Sequence, residues 1–125
     1  MALLFHKEIV ILIWALFDAY KKVDEKELDQ VLKLLGLEHK KDSFANELSG
    51  GQQQRVAIGR AILAHTDIIL ADEPTGNLDG ENAENVMDIL KVLNGKGKTI
   101  VLVTHDLKIA NYADRIIRLE QGKIV

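Results

Sequence analysis

The 125-residue chain contains no cysteine, a single proline and no apolar run long enough to cross a lipid bilayer. Without cysteine it forms neither a disulfide scaffold nor a thiolate metal site, and this composition suits a reducing cytoplasm. One proline and nine glycines leave little material for a long flexible linker. The net charge of −3 argues against a broad nucleic-acid-binding surface. Length and a hydrophobic content of 47% instead predict one folded domain with a real core.

The longest apolar run covers residues 9–17, near the start of the chain. It falls short of the roughly 20 residues that a membrane-spanning helix needs, and no A-x-A cleavage site follows it, so a secretory signal fits poorly. Its β-branched residues favour a strand, whereas its length favours a helix. We expect a helix within residues 3–20 that packs against protein. The alternative is a membrane-facing or partner-facing surface.

Two helices are predicted in the first half of the chain. Residues 25–35 place Leu28, Val31 and Leu35 on one face, and Gly36 follows where a left-handed residue would end the helix. A second helix is predicted to begin after the Ser-Gly-Gly turn and to run to Leu63 or Ala64.

The second half alternates between strands and helices. Residues 68–71 and 99–103 are uninterrupted apolar runs, which predict parallel strands covered on both faces. An amphipathic helix between them provides the crossover connection. A third strand is predicted at residues 115–119, followed by a turn at Gln121-Gly122 and a short returning strand. The order of elements predicts an α/β protein.

Ser49, Gly50, Gly51 and Gln52 stand where this second helix begins. Glycines let the backbone approach an anion closely, and a helix N-terminus presents free N–H groups and positive dipole charge. A serine hydroxyl adds a donor. Taken alone, however, Ser-Gly-Gly is a common loop before a helix, and that interpretation is favoured over phosphate binding.

Two adjacent acids, Asp72 and Glu73, follow the first predicted strand. Ligands of open parallel sheets lie beyond the carboxyl ends of the strands, which is where these acids fall. One carboxylate could hold Mg²⁺ through water, and its neighbour could orient and deprotonate an attacking water. In isolation, two acids after a buried strand are more often solvated loop residues.

His105 follows the second predicted strand and is therefore expected at the same edge of the sheet as Glu73. A histidine there can contact a γ-phosphate or order a water, although a lone histidine at a strand end is more often structural. Asn77 and Asp79, after the acids, are interpreted by default as a turn residue and a helix cap.

The order and spacing of these segments carry more information than any one of them. LSGGQQQRVAIGRAIL resembles the signature motif and following helix of the ATP-binding cassette (ABC) family. IILADEP resembles its Walker B segment with the catalytic glutamate, TGNLD its D-loop, and VTHD its switch-histidine loop. The resemblance covers residues 46–125 and is greatest to the ATPase subunits of lipoprotein-releasing and macrolide-export transporters. Residues 19–45 resemble the family's helical subdomain, whereas the first 18 residues show no resemblance.

The resemblance implies an ATP site shared between two subunits. Asp72 would bind Mg²⁺ through water, Glu73 would act as general base, and His105 would sense the γ-phosphate. The signature residues would touch ATP held by the opposite subunit, and the D-loop would cross the dimer interface. The positions implied in nucleotide binding are Ser49, Gly50, Gly51, Gln52, Asn77 and Asp79.

The implied fold is an incomplete P-loop NTPase-like parallel sheet flanked by helices. A helical subdomain with an atypical apolar leader would occupy residues 1–45, and the signature, Walker B and switch-histidine half of the core would occupy residues 46–125. No G-x-x-x-x-G-K-[ST] phosphate loop is present, because Gly97-Lys98-Thr99 has Val92 in the first glycine position and precedes a strand. We therefore expect negligible ATPase activity from the isolated chain.

The resemblance also implies ligands, partners and a location. ATP and Mg²⁺ would be bound weakly or not at all by the isolated chain. The partners would be a second ATPase subunit and transmembrane permease subunits, with no nucleic acid, on the inner face of the plasma membrane. Two alternatives stay open. A soluble ABC ATPase of DNA repair or translation would be expected to show coiled-coil heptads or a basic surface. A non-enzymatic truncated or engineered fragment would self-associate through exposed apolar surface.

Overall fold

The computed structural model describes residues 25–40 and 48–125 of the chain. The chain divides into two compact units, residues 1–66 and residues 67–125. The expected leader helix and the connection before the signature motif lie outside the described residues. The domain boundary predicted after residue 45 falls there as well, and it stays a prediction.

The order of elements confirms an α/β protein, and the three long helices predicted after residue 24 all form. In chain order the elements are α1 (Glu25–Leu35), a 3-10 turn (Glu38–Lys40), α2 (Gly50–Leu63), β1 (Ile68–Asp72), α3 (Gly80–Gly95), β2 (Thr99–Val103), α4 (Leu107–Ala110), β3 (Leu119–Glu120) and β4 (Lys123–Ile124).

Helix α1 ends in a Schellman motif, which confirms the predicted role of Gly36. This glycine has φ +67°, a backbone conformation that costs other residues about 1–2 kcal/mol. Its N–H donates to the Lys33 carbonyl, and the N–H of Leu37 donates to the Leu32 carbonyl. Leu37 is buried, so the chain leaving the helix also contributes to the core.

Helix α2 packs against α1 through a glycine. A Cβ atom at Gly59 would lie 2.6 Å from Leu35 Cδ1 and 3.3 Å from Val31 Cγ1. Both partner residues are buried in the stripe that the α1 sequence predicts. The absence of a side chain at Gly59 is therefore what lets the two helices come this close.

The second unit is built on a parallel pair of strands, β1 and β2, joined by α3. In their register Ile69 lies opposite Ile100, and Asp72 lies opposite Val103. Helix α3 buries its apolar stripe toward this sheet, and Ile69 is only 4% exposed. The predicted strands and their parallel connection are confirmed.

The prediction that both faces of this sheet are covered is wrong for the described residues. Ile68, Leu70, Val101 and Val103 alternate with the covered side chains and stay exposed, Leu70 to 77%. The physical reason is that α3 packs on one face, and the only other helix of this unit, α4, has four residues. An apolar run does not by itself reveal how many faces are covered.

The predicted third strand at residues 115–119 is also wrong. Only Leu119–Glu120 is a strand, and it pairs antiparallel with Lys123–Ile124 rather than with the parallel sheet. Gln121 and Gly122 both have positive φ, which is the geometry of a tight two-residue hairpin. Closing this local hairpin needs no crossover, whereas a further parallel strand requires one. The predicted turn is confirmed.

Candidate functional site

The strand-end residues meet at one edge of the sheet, as their positions in the sequence predict. Asp72 and Val103 are the last residues of β1 and β2 and lie opposite each other. The next residues, Glu73 and Thr104, therefore leave the sheet side by side. The N–H of Glu73 donates to the Val103 carbonyl at 2.8 Å, which extends the contact between the strands by one residue.

Glu73 turns back over the end of the neighbouring strand. Its φ of +45° is uncommon for a residue with a side chain and is typical of strained positions at functional sites. Its Oε1 accepts the backbone N–H of His105 at 3.1 Å and lies 2.6 Å from His105 Nδ1. The structure thus brings the expected base and the expected phosphate sensor into direct contact.

Thr104 contributes a further contact, which was not predicted from the sequence. Its hydroxyl donates to the other carboxylate oxygen, Glu73 Oε2, at 3.4 Å. The same hydroxyl accepts the N–H of Asp106 at 3.0 Å. The Thr-x-Asp spacing is the signal that could have identified it, because threonine hydroxyls often accept an N–H two residues on.

The pKa of His105 is raised above its ordinary value of 6.5, first by the hydrogen bond to Glu73, then by the charge of that carboxylate and by Asp106. The imidazole is 88% exposed, so solvent screens the interaction. Proximity of the carboxylate favours the protonated ring, which donates from Nδ1. A carboxylate can accept a proton from water, and the protonated ring beside it can face a negatively charged ligand.

Asp72 is exposed at the end of β1, so its carboxylate is free to face a ligand beyond the sheet edge. Within residues 25–40 and 48–125, no cluster of three or more His, Cys, Asp or Glu is arranged to hold a metal. Mg²⁺ does not require such a cluster, because it usually takes one or two carboxylates together with waters and substrate phosphates. The exposed carboxylate of Asp72 fits that kind of site.

The turn after the acids leads directly into α3. Asp79 accepts the N–H of Asn82 at 2.8 Å as the N-cap of the helix, which confirms its default interpretation. Asn77 is exposed in the same turn. The nucleotide-binding roles implied for both residues stay predictions.

The signature segment forms a capping box at the start of α2. Ser49 Oγ accepts the N–H of Gln52 at 3.2 Å, and Gln52 Oε1 accepts the N–H of Ser49 at 3.0 Å. The Ser49 hydroxyl proton remains available to a ligand, because a hydroxyl both accepts and donates. Gly50 is exposed whereas Gly51 is buried, so the first glycine is the open point of approach. The Gln52 side chain serves the cap.

Two arginines of α2 are less exposed than surface charges usually are. The Nε atom of Arg55 is buried and has no hydrogen-bond partner among the described residues. Burial lowers the pKa of Arg60 to about 10. Both side chains are partly buried. Their positions in the helix sequence did not predict this burial.

The motif residues thus form two groups in different units of the chain. The strand-end group contains Asp72, Glu73, Thr104 and His105, and the signature group contains Ser49 and Gly50. No helix within residues 25–40 and 48–125 has both the length and the apolarity to span a membrane.

Comparison with known proteins agrees with this arrangement of motifs. The family model described as "ABC transporter" matches residues 4–76. The macrolide export ATP-binding/permease protein MacB of Pasteurella multocida is 48% identical over 114 residues, which is 89% of this chain and 17% of that protein. The cell division ATP-binding protein FtsE of Streptococcus pneumoniae is 47% identical over 102 residues, 81% of this chain and 44% of that protein.

The solved structure of MJ0796, a dimeric bacterial ABC transporter cassette, superposes with a TM-score of 0.69 at 46% identity. It covers 79% of this chain, and this chain covers 44% of it. The structure and these relatives define a nucleotide-binding cassette, and the chain belongs to the ABC transporter ATP-binding family.

The family match begins at residue 4 and so includes most of the leader. The interpretation that the first 18 residues lack resemblance to the family is therefore wrong. The chain spans less than half the length of the curated relatives described here, from 17% of MacB to 44% of FtsE.

Proposed function

We propose that this chain is an ATP-binding and ATP-hydrolysing component of an ABC transporter. It contributes the signature motif and the Walker B acids to ATP sites that are each shared by two ATPase subunits, and these sites power transmembrane export or lipoprotein release. The names of its relatives support this assignment, since they include an export ATP-binding protein and a cell division ATP-binding protein.

The observation that carries the proposal is the contact between Glu73 Oε1 and His105 Nδ1 at 2.6 Å, one residue beyond Asp72. In the proposed mechanism Glu73 accepts a proton from the attacking water, and His105 faces the terminal phosphate. Asp72 would hold Mg²⁺, which would neutralise charge on the phosphate oxygens when bound. A general base, a histidine that faces the phosphate and a magnesium ligand at one sheet edge match the requirements of phosphoryl transfer to water.

The signature group serves a second nucleotide in this proposal. The exposed Gly50 backbone and the Ser49 hydroxyl donate to the γ-phosphate of ATP that the other subunit holds. A helix start made of small residues suits this task, because nothing keeps the phosphate away from the N–H groups. The partners are a second ATPase subunit and a transmembrane permease, at the cytoplasmic face of the plasma membrane.

The test needs a source of phosphate-loop backbone, because no G-x-x-x-x-G-K-[ST] lies within these 125 residues. The chain is produced together with a separate polypeptide that carries the phosphate-loop half of a MacB-type cassette, and ATP turnover of the purified pair is measured. We expect turnover that falls by about 10²–10⁴ in the Glu73→Gln variant, the usual contribution of a general base.

Glu84→Gln provides the matched control, because Glu84 is an exposed acid on α3 outside the site. This variant should retain the full rate. The proposal is wrong if the pair copurifies and turns over ATP equally well with glutamine at position 73. Absence of turnover in a copurified pair of wild-type chains would also contradict it.

A further inference from the structure

The two oxygens of the Glu73 carboxylate have different partners. Oε1 accepts from the His105 backbone and lies against the His105 ring. Oε2 accepts from the hydroxyl of Thr104. The histidine and the threonine hydroxyl thus contact different oxygens of the carboxylate, and the contact from the threonine has no place in the function proposed above.

The Thr104 hydroxyl is oriented by the loop that contains it. Asp106 donates its N–H to Thr104 Oγ1, which occupies a lone pair and leaves the only hydroxyl proton for Glu73. Asp106 is itself fixed, because its carboxylate accepts the N–H of Lys108 at the start of α4. Thr104 directly follows β2, so its backbone is tied to the sheet. The hydroxyl donor is therefore oriented by the loop that contains it and by the strand that precedes it.

We infer that Thr104 is a positioning residue for Glu73: its hydroxyl fixes the second carboxylate oxygen and so sets the plane of the proposed base. The inference deepens the proposed function and rests on it. Glu73 has a long side chain and a strained backbone, and His105 is largely exposed. Held by the histidine alone, the carboxylate could rotate about its Cγ–Cδ bond. A reaction with a misplaced base is slower, even when the base itself is chemically intact.

The first test uses the full chain without nucleotide. NMR measures the amide hydrogen exchange of His105 and the carboxyl ¹³C shift of Glu73 in three variants. Thr104→Val removes the hydroxyl at nearly constant shape, Thr104→Ser restores it, and Thr99→Val makes the same change at the other end of β2. We expect Thr104→Val to accelerate His105 exchange by about 2- to 10-fold, as for loss of one supporting hydrogen bond, and to move the carboxyl signal.

Thr104→Ser and Thr99→Val should leave both signals near their wild-type values. The inference is wrong if Thr104→Val changes neither signal. The amides of β1 and β2 report whether the variant is folded, and Thr104→Ala replaces Thr104→Val if they are lost. Loss of the strand amides in both variants would also contradict the inference, because the hydroxyl would then serve the fold rather than the carboxylate.

The second test uses the active pair formed with the phosphate-loop polypeptide. Thr104→Val should lower kcat while KM for ATP stays unchanged, and Thr104→Ser should recover the rate. Unchanged kcat in an active pair would overturn the positioning role even if the NMR signals move. If no pair is active, the proposed function fails, whereas the nucleotide-free NMR result still decides whether Thr104 holds the carboxylate.

Discussion

Glu73 has the strained backbone of the strand-end group and is its proposed general base. A left-handed backbone costs a residue with a Cβ atom about 1–2 kcal/mol, and the contacts of Glu73 with Val103, Thr104 and His105 offset that cost. The strained backbone aims the carboxylate at the loop after β2. An extended residue at this position would continue the strand and alternate its side chain to a sheet face.

The protonation of His105 follows from this contact and can be measured directly. Because Glu73 stabilises the imidazolium, we expect the pKa of His105 to lie above 6.5 in an NMR titration of the chain. Glu73→Gln should bring the pKa back toward its ordinary value, while the control Glu84→Gln should leave it raised. A pKa that does not respond to Glu73→Gln would contradict the contact.

The same shift fixes the direction of a pH effect on stability. A group whose pKa is raised by folding stabilises the folded state fully below its unfolded pKa, and this contribution is lost as pH rises through the folded value. The free energy of unfolding of the wild type relative to Glu73→Gln should therefore be larger below 6.5 than well above the raised pKa. Chemical denaturation at the two pH values measures this difference.

At the scale of residues, the acids and the histidine could be recognised in the sequence as candidate site residues, because their chemistry is visible in their residue types. Their order along the chain also matched a known set of motifs. The contact of Thr104 with Glu73 could not be predicted, because it depends on where one hydroxyl proton points. The burial of Arg55 Nε could not be predicted either, because burial of one atom depends on its neighbours in the folded chain.

Among the elements, the α1–α2 pair depends on one missing side chain. Gly59→Val would place atoms where Leu35 and Val31 already lie, so we expect it to destabilise the chain by about 1–3 kcal/mol. Gly95→Val is the matched control, because a Cβ atom at Gly95 meets nothing within 4 Å. Thermal or chemical denaturation should show little change for the control. Equal stability of the two variants would contradict the packing.

The two faces of β1 give a second comparison between neighbouring residues. Ile69→Ala should cost about 2–5 kcal/mol, because Ile69 is 4% exposed and lies on the face covered by α3. Leu70→Ala should cost less than about 0.5 kcal/mol, because Leu70 is 77% exposed. Denaturation of both variants measures the difference. A large cost for Leu70→Ala would show that this face is covered in solution.

Local patterns predicted the elements that local forces decide. Helices α1 and α2 follow from periodicity and caps, and the hairpin turn follows from Gln121-Gly122. The prediction of a third strand at residues 115–119 was wrong because a strand needs a pairing partner, and these residues do not encode one by themselves. The prediction that both faces of the sheet are covered was wrong for a similar reason, because coverage depends on which other elements pack there.

For the whole molecule, the proposed function explains why one chain carries two groups of candidate site residues. In the proposed function the strand-end group and the signature group serve different nucleotides, so they need not form one pocket. This accounts for a signature group and a strand-end group in separate units of the same chain. The proposed function therefore depends on a site completed by another subunit.

Transfer of the signature function to a partner tests that dependence most directly. A complete MacB-type cassette whose own signature serine is replaced keeps its phosphate loop and base, and ATP turnover is measured after this chain is added. We predict that the chain restores turnover, that Ser49→Ala lowers the restored rate by about 10²–10³, and that Glu73→Gln does not lower it. A mixed dimer that forms without turnover, or one in which Ser49→Ala has no effect, would contradict the account.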